Sequence, residues 1–134
     1  MAGLTEDRYT KHRDGLVTAH PVKAATQIFK GGLVCVDATG YAVPGADEAG
    51  QKFVGVAIEG ADNSGGADGA LSIRVQTMGV FSFLKAAAES QADAGSPLYI
   101  ADSQTVSVAP TVNSIACGKL EGLDGSDLWV RIAV

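Results

Sequence analysis

The chain has 134 residues, 19% of them charged, and a net charge of −5. That length suits one domain able to bury roughly two-thirds of its unfolded surface without staples, and its charge content is below the about 25% usual for soluble domains. Residues 1–30 carry five Lys or Arg against three acids and the remainder five against twelve; an acidic body argues against nucleic-acid binding, which needs clustered cations.

The low charge leaves much of the surface to Ala, Gly and Ser, which is compatible with contacts to other subunits. The more basic head suits an acidic protein surface. The first residues, MAGLTEDRYTKHRDG, lack the apolar core of a secretory signal. No apolar run approaches the ~20 residues of a membrane span, so cytoplasmic synthesis without export is expected. Cys35 and Cys117 both sit in apolar, strand-like runs. Buried reduced thiols are the expectation, with a disulfide as the alternative.

In chain order, residues 1–15 are polar, mixed in charge and aperiodic, and read as an arm. Tyr9 with Arg8, Lys11, His12 and Arg13 is its one distinctive group. Either the arm is a solvated end, or it orders against a partner with Tyr9 as anchor and the cations as rim. Leu16 to Ala25 offers a strand interrupted by Pro21, which belongs at an edge or bend. His20 reads as structural, because no further ligand stands at metal-binding spacing.

Leu33-Val34-Cys35-Val36, a turn at Asp37-Ala38-Thr39-Gly40, and Tyr41-Ala42-Val43 predict a β-hairpin. Phe53 to Ile58 follows as a buried strand ending in Glu59-Gly60, and Ala61 to Gly69 is a loop by composition. The most regular stretch is Ala70 to Leu84. Leu71, Ile73, Val75, Thr77, Phe81 and Phe83 share one phase of a two-residue period, with Gly79 in register. This predicts a long half-buried strand, bulged or bent at Gly79 where it crosses between sheet edges. Lys85 to Ala94 predicts a helix of two or three turns stopped by Gly95.

The earlier pattern then recurs. Leu98 to Ala101, Asp102-Ser103-Gln104, Thr105 to Val108, Ile115 to Leu120 and Glu121-Gly122 follow the order of residues 31–60. Setting Asp37 on Asp102 and Gly60 on Gly122 gives an internal repeat of 31–60 with 96–122, for which duplication and convergence of two hairpins are alternatives. Leu128 to Val134 is a terminal strand paired within a sheet, since a free apolar edge would aggregate. About eight strands predict a small antiparallel β-barrel or sandwich with one short helix. The arm (1–15) precedes a single barrel domain (16–134).

Motifs for phosphate loops, zinc proteases, dithiol redox sites and serine nucleophile elbows are absent from the sequence. Gly65-Gly66 and Gly69 lack the strand-to-helix context of a phosphate cradle. Asp47, Glu48, Asp62 and Asp68 read as solvated turn acids, with weak cation binding second. A Cys–His nucleophile pair, Cys35 or Cys117 with His12 or His20, rests on composition alone. No catalytic residue, cofactor or metal is expected.

The run GGLVCVDATGYAVPGADEAGQKFVGVAIEG, then SIRVQTMGVFSFLKAAAESQADAGSPLYIAD, TVSV and a terminal LWVRIAV resembles the small tailed-bacteriophage capsid decoration, or cement, proteins. The resemblance covers about residues 20–134 and leaves the arm outside. Ile115-Ala116-Cys117-Gly118 stands where the family repeats its VGVA-like strand, and Lys119 makes this copy more polar. The resemblance implies a structural protein on the outer surface of the expanded head, where major capsid subunits meet. It implies a homo-oligomer, a trimer before a dimer, with neither nucleic acid nor membrane as partner. Contact through Arg8, Tyr9, Lys11, His12 and Arg13 is the accompanying expectation. The rival from another class is a surface-displayed ligand- or carbohydrate-binding β module, which would need exposed aromatics among Tyr9, Tyr41, Tyr99 and Trp129. Tyr99 and Trp129 fall in strands and are expected in a core or interface.

Overall fold

In the computed structural model, which describes residues 3–11, 13–125 and 127–134, the alternating stretch from Ala70 to Leu84 is two strands, Ser72–Gln76 and Val80–Lys85. The break falls at residues 77–79, where Gly79 takes φ +129°, and the two strands enter different sheets. Ile73, Val75, Thr77 and Phe83 are buried and Phe81 half-buried, as the period requires, whereas Leu71 lies before the strand and is 43% exposed.

Among the described residues there are twelve strands and one 3-10 turn, an all-β fold with more strands than the eight or so expected. In chain order they are β1 (Val17–Pro21), β2 (Thr26–Ile28), β3 (Leu33–Val36), β4 (Ala42–Pro44), β5 (Lys52–Ala57) and β6 (Ala61–Asn63). Then come β7 (Ser72–Gln76), β8 (Val80–Lys85), β9 (Pro97–Ile100), β10 (Thr105–Ser107), β11 (Ala116–Asp124) and β12 (Asp127–Ile132). Pro21 ends β1, an edge strand of its sheet, where its missing N–H costs no ladder bond. The terminal apolar run is β12, paired on both sides by β8 and β11.

The helix expected over Lys85 to Ala94 is reduced to the 3-10 turn Gln91–Asp93. Lys85 belongs to β8, and the Ala86 N–H donates to the Val106 carbonyl, so strand pairing continues where a helix would begin. The buried Glu89 carboxylate accepts the N–H groups of Ala87 and Val108, fixing the loop in a non-helical path. Ten residues of Ala-rich chain cannot repay helix nucleation against such tertiary bonds.

One strand order occurs twice. The first sheet runs β1-β7-β5-β3-β4 and the second β8-β12-β11-β9-β10, so, counting only the five strands of each sheet in chain order, both read first, fifth, fourth, second, third. The second closes as a barrel through parallel pairing of β8 with β10, including Lys85 with Val106. The first has a single parallel bridge at the corresponding place, Val22 with Ala42. Backbone bonds recur in step: Gly31 N to Ala57 O with Gly95 N to Leu120 O, Lys23 N to Ala42 O with Ala86 N to Val106 O, and Thr77 N to Leu16 O with Ile132 N to Gly79 O. The bond from Asp37 N to Tyr41 O recurs as Ala101 N to Thr105 O, so Asp37 matches Ala101 rather than Asp102. Gly55, opposite Val34, matches Gly118, opposite Leu98, which sets Gly122 on Glu59 rather than on Gly60. The ribbon of β2 with β6 belongs to the first half alone.

Two apolar clusters hold the halves. The smaller fills the first sheet with Val22, Ile28, Val34, Ala42, Ala57, Ile73 and Val75. The larger fills the second barrel around Leu98, Ile100, Leu120, Leu128 and Val130 and extends to Leu33, Cys35, Phe53 and Val56 of the first half. Leu33 and Cys35 of β3 thus face one cluster and Val34 the other, which explains its unbroken apolar run.

Candidate functional site

The arm is where the expected contact residues lie. Arg8, Tyr9, Lys11 and Arg13 are in irregular chain, and every described residue from Gly3 to Gly15 is exposed. Tyr9 is 92% exposed and Leu4 is also largely solvent-facing. His12 lies outside the described residues. The arm is moored at its root, where the Thr77 N–H donates to Leu16 O and the Thr77 hydroxyl to Gly15 O. Among the described residues, the side chains of Arg8, Tyr9, Lys11 and Arg13 make no hydrogen bond or ion pair to the body, so the four expected residues share a segment but are not drawn together into a site.

The groups considered for chemistry are dispersed or tied down. Cys35 and Cys117 are free and buried, and burial pushes both thiols up to about 12. Neither is a thiolate near neutral pH. The Cys117 Sγ faces the Leu98 carbonyl at 3.6 Å. Burial lowers the pKa of His20, whose Nε2 lies 3.3 Å from the Thr18 Oγ1. Among the described residues, no three His, Cys, Asp or Glu side chains gather as metal ligands would.

Two acids tie loops to the fold: Asp37 of the expected hairpin turn, and Asp47, which the sequence reads as a solvated turn acid. Asp37 accepts Lys23 Nζ at 2.8 Å, the Thr39 hydroxyl and the N–H groups of Thr39 and Tyr41. The Lys23 bond first, then Thr39, holds its carboxyl well below the usual range. Asp47 reaches across the halves to accept the N–H groups of Asn113 and Val112 at 2.8 and 3.0 Å, while the Asn113 amide donates to Asp47 O. Those backbone donors lower its pKa. The Asp-Gly turn chemistry at Asp37 signals its role; nothing in the sequence signals that of Asp47.

Between the halves runs a groove that sequence reasoning did not anticipate. A hollow of about 390 Å³ is lined by Lys30, Val56, Ile58, Phe81, Ser82 and Phe83. Hollows of about 290 and 400 Å³ adjoin it at Gly31; the first is lined by Leu84 and Asp127, the second by Phe29 and Ser103, and Gln104 borders both. Phe29 stands 70% exposed beside it, and Leu84 is also exposed. Phe29 follows β2, in the ribbon that the second half lacks, so the repeat itself supplies no warning of it. Trp129, expected in a core or interface, is 37% exposed on the outer face of β12, and Tyr99 is half-buried. No family model, curated protein or solved structure matches the chain.

Proposed function

We propose that this chain is a non-enzymatic capsid decoration protein. It binds the exterior of an expanded tailed-phage head at junctions of major capsid subunits and works as a homo-oligomer, a trimer by preference. The observation that carries the reading is the arm: a cation-bearing segment with a bare tyrosine, moored to the β body at Thr77 and exposed along its described length. Such a segment has a role only where a partner orders it, at an entropic cost that added contact area offsets. The body suits the same reading, since it carries few charges and its two cysteines are buried. Individually weak contacts become strong when several subunits of a symmetric oligomer bind together. Its location would be the outer surface of the virion.

The test is co-sedimentation with undecorated expanded heads. Full-length protein is expected to saturate the heads. The variant lacking residues 2–14 is expected to keep its melting temperature and lose most of its binding. Unchanged binding by the deletion would remove the arm from the contact, and failure of the full chain to bind would overturn the cement reading.

A further inference from the structure

We infer that Pro21 is a closure stop: its missing N–H keeps the first half from closing into a barrel as the second does, and leaves β1, the strand from which the arm departs, paired on one side only. The inference does not rest on the proposed function.

The two closures differ by one residue pair. In the second half β8 and β10 pair in parallel at Leu84 with Thr105 and at Lys85 with Val106. Two bonds run between them, from Leu84 N to Gln104 O and from Ala86 N to Val106 O. In the first half the bridge of Val22 with Ala42 is present, and Lys23 N donates to Ala42 O as Ala86 N does to Val106 O. Two residues before Lys23 and Ala86 stand Pro21 and Leu84, and two before Ala42 and Val106 stand Gly40 and Gln104. The missing bond is therefore the one from position 21 to Gly40 O, and proline has no hydrogen to give it. The pair that this bond would close is Pro21 with Tyr41.

The backbone direction at Pro21 suits closure. Leu16 O accepts the Thr77 N–H and Val22 N donates to Leu71 O, so both ends of β1 bond to β7 through even-numbered residues. Antiparallel alternation then turns the odd-numbered ones, Pro21 among them, toward the open edge. Pro21 thus costs the ladder with β7 nothing. Gly69 lies against the gap, where a Cβ would stand 3.6 Å from the Tyr41 Cε1 and 3.7 Å from the Pro21 Cβ. It has no side chain with which to hold the strands apart. Pro21 is exposed, so its ring fills no place in the core. Register and direction are set for closure, and the donor is lacking.

The consequence falls on the arm. In the second half β8 lies between β12 and β10, whereas β1 has β7 alone beside it. A strand paired along one edge has fewer bonds to lose on local opening than one paired along both. The root of the arm at Gly15 and Leu16 runs straight into β1. The proline therefore sets the less restrained of the two first strands directly behind the arm, where a pull on the arm reaches β1 without breaking a closed barrel.

Amide hydrogen exchange, read residue by residue by NMR on the full chain, tests this in Pro21→Ala and Pro21→Leu. Leucine is the residue of the second half, and alanine restores the N–H with less bulk than proline. In both variants the new amide at position 21 is expected to exchange at least about tenfold more slowly than in a free peptide. The Thr18 and His20 amides are expected to slow several-fold against the native chain, with the Lys23 amide as the reference in all three proteins. A position-21 amide that exchanges at the free-peptide rate in a folded variant would overturn the missing donor as the cause. Unchanged exchange at Thr18 and His20 would overturn the restraint of β1 by closure. Failure of both variants to fold would show that the site needs the proline ring rather than the lack of a donor, and the inference would fall.

Discussion

Asp37 illustrates how a turn residue becomes structural. One carboxylate gathers a lysine, a hydroxyl and two backbone N–H groups, and the network pins the β3–β4 hairpin to the segment after β1. Glu59 and Glu121 are likewise held charged by Arg74 and Arg131, and Asp62 by the Ser64 hydroxyl. In each case the folded carboxyl gives up its proton more readily than the unfolded one. The stabilisation is therefore present above the unfolded pKa values, about 4, and is lost as pH falls through and below that range. The melting temperature is expected to hold from about pH 7 to about 5 and then to decline toward about 3. Asp37→Asn should melt lower at neutral pH and lose less on acidification; an unchanged acid slope in that variant would show that Asp37 is not among the groups responsible. These pairs are solvent-facing, so added salt should weaken them.

At the scale of the element, the two bulged strands carry the repeat. Gly55 in β5 and Gly118 in β11, the middle strands of their sheets, have φ of +146° and +155°, each at a register shift opposite β3 or β9 respectively. A Cβ at Gly118 would overlap the carbonyl of Arg131, and one at Gly55 would press on the carbonyl of Gln76. Gly118→Ala is therefore expected to cost about 2–4 kcal/mol in urea unfolding, through strain and collision together. Gly122→Ala, in the same strand, meets only the end of Gln91 at 3.7 Å and should cost about 1 kcal/mol or less. Equal losses at the two positions would refute the close-approach account. The sequence made β3-β4-β5 and β9-β10-β11 legible because apolar runs and turns that open on Asp37 and Asp102 leave local signals. It misplaced their register by one residue because Asp37 and Asp102, and Gly60 and Gly122, look equivalent while ladder pairing is set by Gly55 and Gly118. The correspondence of β1 and β7 with β8 and β12 was not legible: Arg74 aligns with Trp129 and His20 with Phe83 through their ladder partners, so side-chain chemistry hides what the backbone repeats. The helix failed for the opposite reason, since good local propensity lost to Glu89 and the pairing of Ala86. The arm was legible as a segment, but the groove was not, because its walls come from β5, β8 and the loop after β2.

Across the whole molecule, two similar halves do not make two independent units. Residues 17–76 and 80–132 are each close to the size at which a domain buries only about 60% of its unfolded surface and is marginal alone. The larger core unites them: Leu33, Cys35, Phe53 and Val56 of the first half pack with ten buried residues of the second, and Leu33 N donates to Ser103 O across the junction. The first half's own cluster contains no aromatic and three alanines among its eight buried residues, so the first half depends on the shared core for burial of Leu33 and Phe53. Unfolding is therefore expected to be a single transition, with calorimetric and van't Hoff enthalpies in a ratio of about one. Phe53→Ala should lower stability by about 3–5 kcal/mol and split the transition, because the first half then loses its hold on the second barrel. Two resolved transitions in the unmodified chain would mean that the halves fold separately and that the shared core does not couple them. A single transition that survives Phe53→Ala would move the coupling to Leu33, Val56 and the Asp47 clamp. Coupling of this kind also fixes the width of the groove, which is bounded by both halves, so the hollow keeps its shape only while the two halves stay joined.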